Sequence, residues 1–172
     1  GYYHFDEGYE PYRYRDLDGH TSLMSHSASM AADKGIVVVC SAGNSGADAW
    51  KKVTPPGDAE NVLVVGALTK NLINAEFSSI GNTTDGRIKP DVMAIGAPSV
   101  VSGKDGTVSR ANGTSFASPT MCGVVVCFWQ SCPWLTAKEV VKAVQQAGDR
   151  VDFPDNIYGY GVPNLWKAYQ KE

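Results

Sequence analysis

The 172-residue sequence lacks the features that identify several broad classes of protein. Charged residues make up only 19% of the chain, and 15 Lys and Arg against 18 Asp and Glu leave a formal net charge of −3. Such a balance argues against nucleic acid as a partner, because nucleic-acid-binding proteins work largely by neutralising phosphates. No apolar run approaches the roughly 18 residues that a membrane-spanning helix needs, so no membrane span is predicted.

Metal-binding patterns are also missing. The four cysteines, Cys40, Cys122, Cys127 and Cys132, form no Cys-x-x-Cys pair and have no histidine nearby, which argues against a zinc site. On a helix, their five-residue spacing would place successive thiols of the last three about 140° apart, so these thiols cannot form one cluster. We interpret the cysteines as small buried hydrophobes, and the sequence leaves a disulfide open.

Three short apolar runs predict a parallel sheet that is covered on both faces. Residues 36–40 are apolar at every position, and residues 62–67 and, more weakly, 92–95 show the same pattern. A strand with one face in water would alternate apolar and polar residues, whereas an unbroken apolar run is typical of a buried parallel sheet. Turn residues at 104–107, with valines on both sides, predict a β-hairpin.

Helices are predicted both before and after these apolar runs in the sequence. Residues 21–34 carry apolar side chains at helical spacing, and Gly35 is placed to end that helix in the left-handed conformation. Residues 115–130 are apolar nearly all round, which predicts a helix buried inside the protein. A capping box opens a helix over residues 136–147, and a short helix is predicted around 164–170. The order of elements predicts an α/β fold with a mostly parallel sheet.

The strongest chemical signal is the segment 113–119, with the sequence GTSFASP. Ser115 stands in the first turn of a helix, where free N–H groups and a partial positive charge favour a developing oxyanion. Gly113 leaves room for a substrate backbone. A second signal, SAGN at residues 41–44, follows the first apolar run. Ligands bind at the carboxyl ends of parallel strands, and the amide of Asn44 can donate to an oxyanion there.

These two motifs, about 70 residues apart, resemble those of the subtilisin-like serine peptidases, or subtilases, of bacterial type. Residues 16–19, 89–92 and 158–164 also resemble subtilase segments, so the resemblance covers nearly the whole chain. It implies the subtilisin-like three-layer fold, with helices on both sides of the sheet. It also implies that Ser115 is the nucleophile and that Asn44 forms the oxyanion hole with the Ser115 N–H. The substrate-binding residues that it implies are Ser41, Ala42, Gly43, Gly113 and Thr114.

The resemblance also shows what the sequence lacks. Subtilases carry their catalytic residues in the order Asp, His, Ser. The Asp belongs to an Asp-Ser/Thr-Gly turn and the His to a His-Gly-Thr segment, and neither motif occurs here. His4, His20 and His26 stand in other contexts. Residues 1–172 are therefore expected to be the C-terminal portion of one subtilase domain, with Gly1-Tyr2 as the end of a substrate-binding strand.

The implied activity is that of a serine endopeptidase acting on peptide or protein substrates within a longer parent. The isolated chain is expected to be inactive, because a serine hydroxyl without a base is a weak nucleophile. Two alternatives stay open: a non-catalytic pseudopeptidase or protein-binding module, and a nicked enzyme whose pieces stay associated. An α/β-hydrolase is set aside, because Ala117 replaces the last glycine of Gly-x-Ser-x-Gly.

Half of such a domain leaves an unpaired strand edge and uncovered apolar faces. The expected partner for these surfaces is the missing N-terminal half, and self-association through the sheet edge is a further expectation. No cofactor is expected to be required. Subtilases often bind structural calcium, but the sequence contains no Asp-rich loop of the EF-hand type to support it. The family resemblance implies export, with any signal lying outside this chain.

Overall fold

Three strands form the centre of the fold. The computed structural model describes residues 2–171, and in it β1 (Val39–Ser41), β2 (Leu63–Thr69) and β3 (Val92–Ala97) form a parallel sheet in the order β1-β2-β3. The register places Cys40 beside Val64 on β1 and β2. β2 lies in the middle and is buried from Leu63 to Leu68. The α/β fold with a parallel sheet that the sequence predicts is confirmed.

The predicted helices and hairpin are also present. Thr136 and Glu139 form the predicted capping box: the Thr136 N–H donates to Glu139 Oε2 at 2.7 Å, and the Glu139 N–H donates to Thr136 Oγ1 at 3.4 Å. Gly35 follows the first helix with a φ of +88°. In the described part of the chain, every helix is too short or too polar to cross a bilayer. The elements are the helices α1 (Leu23–Asp33), α2 (Thr114–Ser131), α3 (Ala137–Gln146) and α4 (Leu165–Tyr169), and the antiparallel hairpin of β4 (Ser99–Ser102) and β5 (Val108–Ala111).

The two faces of the sheet carry two separate core clusters. Successive strand residues point to opposite faces. Leu63 and Val65 belong to the larger cluster, which α2, α3 and α4 cover. Val62 and Val64 belong to the smaller cluster, against which Ala28 of α1 packs. The helices therefore lie on both sides of the sheet, and α1 lies on the side opposite to α2.

The first apolar run differs from its prediction of burial on both faces. The strand begins only at Val39, all three residues of β1 are half-buried, and Ile36 is 56% exposed. β1 lies at the end of the sheet and pairs with β2 alone among the described residues. A strand at a sheet edge has one row of backbone groups without partners.

The prediction that α2 is buried all round is wrong for one side of the helix. Its inner side packs along the three parallel strands, whereas Val126 is 58% exposed on its outer side. Cys122 and Cys127 are exposed as well, so the interpretation of these two cysteines as buried hydrophobes is wrong. Cys132, at the end of α2, is buried as predicted. The outer side of α2 and the free edge of β1 are two surfaces that remain uncovered in the described chain.

The N-terminal segment packs by its aromatic rings. Gly1 lies outside the described residues, and Tyr2, the other residue of the predicted substrate-binding strand, forms no strand. The rings of Tyr3 and Trp50 stack with centroids 4.4 Å apart and planes 7° from parallel. The Tyr14 hydroxyl donates to a backbone carbonyl 69 residues away. The segment is thereby attached to the loops that follow β1 and β2.

Candidate active site

The structure brings the two sequence motifs together at the carboxyl end of β1. Oδ1 of Asn44 accepts two hydrogen bonds from Thr114, one from its backbone N–H at 2.9 Å and one from its hydroxyl at 2.8 Å. The Gly43 N–H donates to the same hydroxyl at 3.3 Å. Thr114 is the first residue of α2 and is only 1% exposed. This buried threonine therefore fixes the loop after β1 to the start of α2.

Two hydrogen-bond donors are left open beside this link. Because Asn44 uses Oδ1 to hold Thr114, its Nδ2 group remains as a donor. Within residues 2–171, neither this Nδ2 nor the Ser115 N–H has a hydrogen-bond partner. A methyl group placed on Gly113 would lie 3.5 Å from Asn44 Nδ2, so Gly113 adjoins the amide. A free amide and a free N–H at a helix start form an arrangement that can hold an oxyanion.

Ser115 carries the one exposed hydroxyl of the GTSFASP segment's first turn. Its Oγ has no hydrogen-bond partner in the described chain, so no histidine there activates it. His26 lies on α1, which covers the opposite face of the sheet. His20 lies 3.7 Å from the carboxylate of Glu60. Neither histidine is brought to the nucleophile that the sequence predicts.

Two side chains that the sequence analysis did not identify, Thr54 and Ser79, support the loop that carries Asn44. Gly43 has a φ of +109°, and a Cβ there would lie 2.7 Å from Thr54 Oγ1 and 2.9 Å from Ser79 Oγ. Ser79 Oγ accepts the Ser45 N–H at 3.0 Å, and the Ser79 N–H donates to the Gly43 carbonyl at 3.0 Å. Only a glycine fits this contact and this φ. A lone Thr or Ser in a loop is too common a signal to identify such supports from sequence.

The predicted substrate-binding residues lie at different depths. Ser41 is half-buried, whereas the side chain of Ala42 is fully buried in the smaller core cluster. Gly113 is buried, and its N–H donates to the Gly96 carbonyl at 2.9 Å, which joins the start of α2 to β3. A residue whose side chain points into the core can contact a substrate only through its backbone. The substrate-binding role of these residues stays a prediction.

The electrostatics of the site leave Ser115 as its candidate nucleophile. Cys40, which precedes the site on β1, is disfavoured because burial raises the pKa of its thiol to about 12. Cavities of about 730 and 670 Å³ lie away from the site, against α3 and between α3 and α4. No group of three or more His, Cys, Asp or Glu side chains in the described chain is arranged to hold a metal ion.

Comparison with known proteins gives a consistent family. The sequence profile of the Subtilase family matches residues 8–161. Serine protease AprX of Bacillus subtilis (strain 168) is 36% identical over 152 residues, covering 76% of this chain and 34% of AprX. Subtilisin DY of Bacillus licheniformis is 31% identical over 151 residues, covering 87% of this chain and 53% of its own length. The chain thus spans about a third to a half of these relatives.

A solved structure extends the comparison to the fold. The self-cleaved protease domain of PatA superposes with a TM-score of 0.70 at 22% sequence identity. The match covers 85% of this chain and 53% of that domain. At this identity the likeness concerns the fold alone, and it agrees with the three-layer arrangement described above.

Proposed function

The chain belongs to the subtilase family of serine peptidases, and from this premise we propose that it carries the nucleophile and oxyanion hole of a serine endopeptidase. The observation that carries the proposal is the pair of hydrogen bonds from Thr114 to Asn44. They hold a free amide donor beside the start of α2, where Ser115 presents an exposed hydroxyl. A free amide donor beside an exposed serine hydroxyl supports a role in acyl transfer through a serine.

In the proposed reaction, Ser115 Oγ forms a bond to the carbonyl carbon of a peptide while a general base takes the hydroxyl proton. The oxyanion accepts hydrogen bonds from the Ser115 N–H and from Asn44 Nδ2. The C–N bond then breaks, the base returns the proton to the leaving amine, and an ester to Ser115 remains. Water hydrolyses that ester by the same route and restores the serine.

The general base of this reaction would come from outside residues 1–172. The Ser115 hydroxyl has no hydrogen-bond partner within the described residues, and a serine hydroxyl without a base reacts slowly at neutral pH. We therefore expect the isolated chain to be proteolytically inactive. The curated relatives are two to three times as long as the part this chain matches, which leaves room for an upstream portion with the Asp and His motifs.

The uncovered surfaces of the fold suit that upstream portion. The free edge of β1 can accept a further parallel strand, and the outer side of α2 offers an apolar area that the upstream portion can cover.

Cys122 and Cys127 lie on this outer side, so the reactivity of their thiols reports whether it is covered. We expect iodoacetamide to modify both thiols in the isolated chain and to modify them much more slowly in the longer parent. Without the upstream portion, the same surfaces would favour self-association. By family resemblance, the parent would be exported.

A fluorophosphonate probe, which labels activated serines, tests the proposal. We expect labelling of the longer parent, loss of labelling in Ser115→Ala, and none of the isolated chain. Ser131→Ala, an exposed serine at the far end of α2, is the matched control and should label normally. Labelling of the isolated chain would contradict the expected need for an outside base. A folded parent that does not label would instead favour the alternative, a pseudopeptidase or protein-binding module, which the unpartnered Ser115 also fits.

A further inference from the structure

A cavity of about 730 Å³ lies at the edge of the sheet opposite to the candidate active site. Val62 and Asp91, the residues immediately before β2 and β3, line it, so it lies at the amino ends of these strands. The candidate site lies at the carboxyl end of β1, and all three strands are parallel. Along β2 the two edges are about 20 Å apart. A small ligand in this cavity would therefore not contact Ser115 or Asn44.

Lys89 supplies a buried cation in the wall of this cavity. Its side chain is 5% exposed, and its Nζ donates to the Val62 carbonyl at 3.1 Å and to Asp91 Oδ2 at 2.8 Å. An ammonium group has three N–H donors, so one of them has no acceptor within the described residues. A buried donor without a partner is unfavourable, and an oxygen atom of a ligand in the cavity can accept it.

The carboxylate of Asp91, in contrast, is already satisfied by donors of the protein. Its Oδ2 accepts the Val64 N–H at 2.7 Å as well as the Lys89 ammonium. Its Oδ1 accepts Nε2 of Gln145, on α3, at 2.8 Å. Asp91 therefore fixes the position of Lys89 and has little capacity left for a bound cation.

The other charged side chains of the cavity leave a second cation available. Arg87 and Lys138 are each held in an ion pair with an aspartate, at 2.7 Å and 2.9 Å. The one further acid, Glu60, has its carboxylate 3.7 Å from a ring nitrogen of His20. Lys142, one turn after Lys138 on α3, lines the cavity and forms no ion pair within residues 2–171. The charged groups that a ligand can reach without breaking an ion pair to Arg or Lys are thus two lysines and Glu60.

The rest of the wall suits an apolar group. Val141 is 7% exposed, Ile88 is half-buried, and the ring of Tyr160 lies between solvent and the core. The Tyr160 hydroxyl has no hydrogen-bond partner in the described chain, so it is a further donor. A volume of about 730 Å³ with a few polar groups in an apolar wall is typical of small-molecule sites.

We propose that this cavity binds a small organic anion, a carboxylate or phosphate carried on an apolar or aromatic body. The anionic group accepts hydrogen bonds from Nζ of Lys89 and of Lys142. The apolar body packs against Val141, Ile88 and the ring of Tyr160. Because the cavity is separate from the candidate active site, the inference goes beyond the proposed function and does not depend on it.

The test is a calorimetric titration of the longer parent with three probes that separate charge from apolar body. 2-Naphthoate carries both, 2-naphthamide has the body without the charge, and acetate has the charge without the body. We expect 2-naphthoate to bind about tenfold more tightly than 2-naphthamide, because its carboxylate makes charge-assisted hydrogen bonds. Acetate should bind at least about tenfold more weakly than 2-naphthoate, because it buries almost no apolar area.

Three variants locate the binding site. Lys142→Glu, at an exposed helix position, should weaken 2-naphthoate by about tenfold and leave 2-naphthamide unchanged. Ile88→Trp should fill the cavity and weaken both naphthyl probes. Lys167→Glu is the matched control, because it reverses the charge of an exposed lysine in the second cavity, between α3 and α4, and should change neither affinity.

Absence of 2-naphthoate binding, or equal affinity for 2-naphthoate and 2-naphthamide, would overturn the inference. An equal loss in Lys142→Glu and Lys167→Glu, or no loss in Lys142→Glu, would overturn it as well. Lys89→Met should remove the preference for the carboxylate. Because that change also breaks a buried ion pair, Lys142→Glu decides the question if the variant does not fold.

Discussion

Replacing Thr114 with valine removes the hydroxyl that joins the two halves of the candidate site while keeping nearly the same shape. That hydroxyl donates to Asn44 Oδ1 at 2.8 Å and accepts the Gly43 N–H at 3.3 Å, in a side chain that is 1% exposed. After the change, Asn44 keeps the bond from the Thr114 backbone, but the buried Gly43 N–H loses its acceptor. Both the free energy of unfolding and the rate of labelling by the fluorophosphonate probe should therefore fall.

The magnitude follows from these two bonds. A net hydrogen bond is worth about 1 kcal/mol, and an orphaned buried donor costs about 1–3 kcal/mol. We expect Thr114→Val to lower the free energy of unfolding by about 2–3 kcal/mol. Thr114→Ser is the matched control, because it keeps the hydroxyl and loses one methyl group, which costs about 0.8 kcal/mol.

Urea unfolding of the three proteins, followed by circular dichroism, measures the difference. Labelling of the parent with the fluorophosphonate probe measures the effect on the site, and it should slow in Thr114→Val and stay near normal in Thr114→Ser. The reasoning is refuted if valine costs less than serine. It is also refuted if Thr114→Val loses stability but labels at the normal rate, because the link would then not position Asn44.

Three further changes probe other parts of the structure. Lys89→Met should lower the free energy of unfolding in urea by about 3–5 kcal/mol, because it leaves the buried carboxylate of Asp91 without its cation at 2.8 Å; a loss below 1 kcal/mol would contradict this. Gly43→Ala should abolish labelling, because its Cβ would lie 2.7 Å from Thr54 Oγ1 at a φ of +109°; normal labelling would show that the loop adapts. Burial raises the pKa of the Cys40 thiol to about 12, whereas a thiol in the unfolded chain has a pKa of about 8.5. The stability that the protonated Cys40 contributes is therefore complete below a pH of about 8.5 and is lost as the pH rises towards 12. The melting temperature of Cys40→Ala should accordingly fall less between pH 9 and pH 11 than that of the unmodified protein, and identical slopes would contradict the assignment.

Local signals in the sequence were sufficient for the elements of the fold. The apolar runs at 62–67 and 92–95 lie within or overlap β2 and β3, and the turn at 104–107 joins β4 to β5. The capping box at Thr136 begins α3. Each of these signals acts through residues a few positions apart, so it is present in the sequence in full. The family resemblance likewise rested on short motifs, and the profile match over residues 8–161 confirms it.

Such local signals could not predict contacts between residues that are distant in the sequence. The supports of the Asn44 loop, Thr54 and Ser79, act on Gly43 from 11 and 36 positions away, and no periodic pattern marks them. The aromatic stack likewise joins Tyr3 to a residue far along the chain. Packing of this kind depends on where whole elements meet, and only the tertiary structure specifies it.

The sequence by itself determined the α/β class, most of the strands and helices, and the family to which the chain belongs. The tertiary structure alone decided that Thr114 holds Asn44, that Tyr3 meets Trp50, and that β1 and one side of α2 remain uncovered. The sequence shows which side chains are apolar and favour burial, but only the arrangement of neighbouring elements determines whether another element covers them. The outer side of α2 is apolar and exposed because no described element packs against it.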